Sequence, residues 1–156
     1  MFEQDEFWMR KAIAAAMGAR DLEEVPIGAC LIDKTGELLA IAGNRTITTS
    51  DPTAHAEILV LRAAGKKIGN YRLTETALYT TIEPCAMCAG ALVNARIKRL
   101  IFGAHDERFG AVESVFQLCD TSSLNHQIEI TKGVLAEDCR QLMRDFFRVR
   151  RNAKSI

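Results

Sequence analysis

Two short motifs, His55-Ala56-Glu57 and Pro84-Cys85-Ala86-Met87-Cys88, constrain this chain more than any other feature, because they make chemical sense only if they meet. Each stands at the start of an apolar stretch with helical character, so the fold has to bring two helix N-termini together. Cys85 and Cys88 lie three apart, which puts them on one helix face where they can chelate a single ion. Pro84 pins the helix start, where unpaired N–H groups and the macrodipole favour thiolate over thiol. With His55 as third ligand the donor set is one nitrogen and two sulfurs, which suits zinc. No fourth Cys or His with ligand-like spacing stands near, so one tetrahedral position stays open, as in catalytic rather than structural zinc sites. Zinc in such a site activates water near neutral pH. Glu57 sits among Ala54, Ala56, Ile58, Leu59 and Val60, and a carboxylate in apolar company needs a purpose. Moving that water's proton is such a purpose. A lone C-x-x-C often packs as two small apolar side chains, and a lone helix acid usually faces water. The joint motif argues against both readings.

The rest of the chain supplies a scaffold for this meeting. With 156 residues and 48% hydrophobic composition it is long enough for one substantial core, so a single domain over 1–156 is expected. Trp8, Ala12, Ala15 and Ala19 recur at helical spacing within about 5–19. Strands are expected at 27–32 and 38–42, joined by the turn Lys34-Thr35-Gly36-Glu37. Asp51-Pro52-Thr53 reads as the start of a buried helix over about 54–66. A strand at 78–82, a helix opening at Glu83-Pro84 and running to about 94, and a strand at 99–103 form a strand, helix, strand unit. Such a unit implies a parallel pair with a right-handed crossover. A last strand at 128–131 and a last helix over 137–151 complete the pattern.

Five cysteines, an odd number, and an acidic N-terminus without an apolar leader argue against a disulfide framework and against secretion. No apolar run approaches the roughly twenty residues of a membrane span, so a cytoplasmic protein with no membrane partner is expected. Cys30 and Cys139 read as core residues, His105 and His126 as loop or hydrogen-bonding histidines, and Cys119 is left undecided. Net charge is zero, so any nucleic-acid site must be a local patch. The last helix offers one. Cys139, Leu142, Met143 and Phe146 form its inner stripe, while Arg140, Arg144, Arg148 and Arg151 line another side. Arg150 and Lys154 extend the row and only Asp145 opposes it, so a phosphate backbone is a plausible partner. Bases near a helix C-terminus also complement its dipole, which is the alternative account.

With these residues in place, the chain resembles the bacterial tRNA-specific adenosine deaminases, a family that the zinc deaminase signature describes. The similarity runs through Trp8-Met9-Arg10, Val25-Pro26-Ile27-Gly28-Ala29, residues 51–57, Asn70-Tyr71-Arg72-Leu73, residues 83–90, Asn125-His126 and residues 145–151. It implies a three-layer α/β/α cytidine deaminase-like fold around a mixed five-stranded sheet. It further implies one Zn2+ per subunit, a homodimer, and conversion of adenosine to inosine at the wobble position of a tRNA anticodon arm. By matching position, Asn44 would help read the flipped base, Phe147 would contact the RNA near the pocket, and Asp106 would bind substrate from a loop bordering the substrate groove. That loop departs from the family pattern: Arg108 replaces the usual Lys, and Glu113 the usual Gly. An acid beside phosphate is unfavourable unless paired.

Three functions fit the sequence. The first is a tRNA adenosine deaminase with Glu57 as proton carrier and Arg144, Arg148 and Arg151 on phosphates. The second is a deaminase of a free nucleobase or nucleoside, of guanine or cytosine type, which needs no arginine row. The third is a nonenzymatic zinc-stabilised RNA-binding domain, which needs no Glu57.

Overall fold

The computed structural model describes residues 2–154. In chain order the elements are α1 (Phe2–Asp21), β1 (Gly28–Ile32), β2 (Leu38–Gly43), α2 (Ala56–Ile68), β3 (Ala77–Ile82), α3 (Ala86–Ala95), β4 (Arg99–Ala104), β5 (Glu129–Lys132) and α4 (Ala136–Lys154). Among the described residues the strands form one mixed sheet in the order β2-β1-β3-β4-β5. β1 runs antiparallel to β2 and β3, whereas β3, β4 and β5 are parallel. The crossover through α3 therefore joins a parallel pair. α1 and α4 cover one face and α2 and α3 the other, giving the expected α/β/α layers.

Strand composition explains why both faces need a cover. Leu78, Leu100 and Phe102 pack under α2 and α3, while their neighbours Tyr79 and Ile101 pack under α1 and α4. A strand points alternate side chains to opposite faces, so near-continuous apolar strands are buried on both. β1 shows the same alternation, with Ala29 and Leu31 on one side and Cys30 and Ile32 on the other. Its first residue must be Gly28, because a Cβ there would lie 2.1 Å from the Ala12 carbonyl oxygen of α1. No helix among the described residues is long and apolar enough to cross a membrane.

The boundaries that differ from expectation do so for local reasons. α2 begins at Ala56 rather than 54, because the Asp51 carboxylate accepts the Thr53 N–H at 2.8 Å and its hydroxyl at 2.7 Å, closing a turn first. α3 begins at Ala86 rather than at Pro84, with Cys85 as its extended N-cap. The buried stripe of α1 is Asp5, Met9, Ala12, Ala16 and Ala19, with Trp8 and Ala15 at its margin. Counting apolar residues alone misses this stripe, because it includes an acid. Asp5 is buried and takes a two-pronged ion pair from Arg99 at 2.9 and 2.6 Å, plus the Tyr79 hydroxyl at 2.9 Å. Arg99 also donates to Thr131 at 2.9 Å, so one cluster ties α1 to β3, β4 and β5.

Burial alone would raise the pKa of Asp5, but the bonds from Arg99 and Tyr79 outweigh it and hold the carboxyl below its ordinary value. A depressed carboxyl stabilises the fold above its unfolded pKa of about 3.9, and that stability is lost as pH falls through the folded value. Asp5→Asn is expected to cost about 3 kcal/mol at pH 7, the low end for a broken buried pair because Arg99 keeps a fifth of its side chain in water. The difference between wild type and variant should shrink as pH falls below about 4. Urea melts at pH 7 and pH 3 check this, and an equal difference at both would show that the ion pair is not responsible.

Candidate active site

His55 and Cys85 are the N-caps of α2 and α3, and both have extended backbones without the side-chain hydrogen bond that usually caps a helix. Their side chains face each other instead. Nδ1 of His55 lies 3.5 Å from Sγ of Cys85 and 3.5 Å from Sγ of Cys88. The capping duty passes to Asn44, whose Oδ1 accepts the Ala56 N–H at 2.8 Å. Asn44 thus stands beside the cluster as a buried residue with a structural task of its own.

The three ligand atoms of His55, Cys85 and Cys88 all fall within 4.8 Å of one another. A tetrahedral zinc with bonds of about 2.0–2.1 Å to nitrogen and 2.3 Å to sulfur spaces such a pair by about 3.5 Å, so the observed separations fit that ion. The electrostatics agree. A hydrogen bond from Cys88 lowers the Cys85 pKa to about 4, with His55 reinforcing the effect against burial. Cys88 is raised by sharing that proton, by burial and by Glu57. Cys85 in turn raises His55. The cluster carries thiolate character before any ion binds.

Glu57, in the first turn of α2, is only 4% exposed, and its Oε1 has no hydrogen-bond partner among the described residues. A buried, unsatisfied carboxylate oxygen is costly and rare. Burial raises its pKa to about 6, with the Cys85 charge adding to the rise and His55 opposing it. A carboxyl near neutrality beside a metal-type cluster can both take and return a proton.

Two other buried acids, which sequence reasoning passed over, build the walls. Glu24 accepts the Ile47 N–H at 3.0 Å, the Thr48 N–H at 2.7 Å and the Thr48 hydroxyl at 2.8 Å, fixing the loop between Asn44 and His55. Glu83 accepts the N–H groups of Asp106, Val112, Glu113 and Ser114 at 2.8–3.1 Å and the Ser114 hydroxyl at 2.5 Å. These bonds outweigh burial and hold the Glu83 pKa down. Gly110 is packed against Glu83 so closely that a Cβ would lie 2.3 Å from its Cδ, and Gly110 pairs with Cys85 through a backbone bridge. Glu83 directly precedes the Pro84 motif, and that position was the one available signal.

The loop so anchored borders a groove of about 700 Å³ that also meets α4. Asp106, Arg144 and Phe147 line it, together with Arg108 and Phe109. Asp106 is occupied with its own loop, since Oδ1 accepts the N–H groups of Arg108 and Phe109 at 3.1 Å each. Arg148 and Arg151 lie on the exposed side of α4 and are not among the groove's lining. The arginine row is opposed by more than Asp145. Glu137 pairs with Arg140, and with Arg144 at 3.4 Å, while Asp145 holds Arg148 at 2.9 Å. Arg150 turns away, donating to the Glu23 carbonyl at 2.8 Å and lying 4.6 Å over the Phe146 ring. Helical spacing placed these bases and Asp145; Glu137, three residues before Arg140 on the same helix, is the acid that the sequence reading left out. Glu113 is paired with Lys132 at 2.8 Å, so the unusual acid presents no bare charge. His126 bonds the Ile97 carbonyl at 2.7 Å, and Cys30, Cys119 and Cys139 are buried.

Residues 3–151 match the MafB19-like deaminase family. A tRNA-specific adenosine deaminase from Haemophilus influenzae is 49% identical over 99% of this chain and 89% of the relative. A solved tRNA:A34 deaminase, from work on A-to-I editing at the wobble position of tRNA, superposes with a TM-score of 0.84 at 40% identity, over 87% of this chain and 98% of that one. A solved guanine deaminase from Nitrosomonas europaea is more distant, with a TM-score of 0.75 at 25% identity over 90% of this chain and 83% of that one. A family match over nearly the full length, joined to a relative at this identity, places the chain among the MafB19-like deaminases and, within them, in the tRNA-specific adenosine deaminase family.

Proposed function

We propose that this protein deaminates adenosine to inosine hydrolytically at the wobble position of a tRNA anticodon arm, in the cytoplasm, as a zinc-dependent homodimer. The observation that carries the reading is the buried Glu57 carboxylate, with Oε1 unpartnered among the described residues, beside the His55, Cys85 and Cys88 cluster. His55, Cys85 and Cys88 hold the ion, one per subunit. Bound there, zinc supplies Lewis-acid activation of water. Glu57 accepts a proton from the attacking water and returns it to the amine leaving C6, so that water and adenosine become inosine and ammonia. Its pKa of about 6 suits both halves of that transfer. Asn44 orients the flipped base, and Asp106 binds substrate from the groove loop whose N–H groups its carboxylate also accepts. Phe147 meets the RNA, while Arg144, Arg148 and Arg151 engage phosphates. Sedimentation tests the homodimer.

Incubation with total tRNA, followed by reading inosine at each anticodon, decides the substrate. Ammonia release from free guanine with tRNA unchanged would replace this reading with a free-base deaminase. Replacing Arg144, Arg148 and Arg151 together with Gln is expected to weaken RNA binding and flatten its salt dependence. Each lost phosphate contact on the single-stranded anticodon loop removes about 0.7 from the slope. If the three only complement the α4 dipole, affinity across a salt titration stays unchanged and stability alone drops.

A further inference from the structure

Phe109 is a large aromatic left 67% exposed at a point where the backbone is tightly fixed. Its N–H is held by Asp106 at 3.1 Å, and the next residue, Gly110, is packed against Glu83 and bridged to Cys85. The ring is therefore displayed on a rigid mount two dozen residues along the chain from a metal-type ligand but one backbone pairing away in space. It lines the same groove as Phe147, which α4 leaves 41% exposed. Beside it, Arg108 also lines the groove, and of the groove arginines 108, 140 and 144 it alone has no carboxylate partner among the described residues. An exposed ring next to an unpaired guanidinium matches one unit of an unpaired nucleic acid strand, a base with its phosphate.

We infer that Phe109 is a stacking shelf for an unpaired base flanking the target adenosine, with Arg108 meeting the phosphate of the same nucleotide. The inference rests on the tRNA deaminase reading and adds to it a contact that lies outside the chemical centre. Single-stranded bases splayed from a loop stack on aromatic side chains, and loss of one such ring weakens binding by about 5- to 150-fold. A backbone already held by these contacts makes the ring effective, because little ordering is left to be done on binding.

The test compares wild type, Phe109→Ala, Phe109→Trp and Arg108→Gln on an RNA anticodon stem–loop containing the target adenosine. Phe109→Ala should raise the KM and the Kd for the stem–loop by about 5- to 150-fold, with bound metal unchanged and single-turnover rate at saturation close to wild type. Phe109→Trp should restore affinity, which a merely structural role would not allow. Arg108→Gln should lower the salt slope of binding by about 0.7. Unchanged stem–loop affinity in Phe109→Ala, while wild type makes inosine, overturns the inference and leaves the proposed function standing. Failure of wild type itself to make inosine in the RNA removes the proposed function instead. If Phe109→Ala dissociates a dimer seen in wild type by sedimentation, the ring covers a second copy of the chain and the shelf is rejected.

Discussion

Glu57→Gln is expected to abolish nearly all turnover while leaving the metal site and the fold in place. Glu57 is not among the three atoms that cluster for metal binding, so its loss removes no ligand. What disappears is the group that takes and returns the proton, and such groups contribute about 10²- to 10⁴-fold. The loss should be at least of that order in single-turnover deamination of a stem–loop. Stability should hold or rise, because the native carboxylate is buried with one oxygen unsatisfied and the amide is neutral. A thermal melt and metal analysis on the same preparation make the separation. Near-normal single-turnover rates would end the assignment of Glu57 as proton carrier, and loss of metal would move Glu57 into the ligand set.

Cys88→Ala should lose metal, activity and stability together. Cys88 is fully buried in the first turn of α3 and lies 3.5 Å from the His55 imidazole, so its sulfur cannot be replaced by a neighbour. Two remaining protein ligands make an incomplete site. The ion also joins the N-termini of α2 and α3, and any ligand that binds only the native state stabilises it in proportion to RT ln(1 + [L]/Kd). Removing the metal from wild type with a chelator should therefore reproduce most of the variant's fall in melting temperature, apart from about 1 kcal/mol for the lost packing of a small side chain. Stoichiometric zinc with full turnover in Cys88→Ala would sink the ligand assignment.

The order of helices and strands, and the parallel pair joined across the third helix, were legible in the chain because apolar runs of strand length alternate with helical periods that depend on local stereochemistry, whereas the three-layer α/β/α arrangement was implied by the family resemblance. The meeting of His55 with Cys85 and Cys88 was legible for a related reason: one nitrogen and two thiols at those spacings have no common purpose unless they converge. What the linear chain could not show was where buried charge is satisfied. Asp5, Glu24 and Glu83 look like ordinary acids in sequence, yet each is buried and bonded to partners far along the chain, Arg99, Thr48 and Ser114 among them. The arginine row was reduced for a local reason: Glu137 and Asp145, on the same helix, pair with Arg140, Arg144 and Arg148, and of these two acids the spacing argument had counted only Asp145. Spacing along a helix or strand is a local property and is carried by the sequence itself. A hydrogen bond or ion pair depends on atoms brought within about 3 Å, and only tertiary packing decides which distant residues those are.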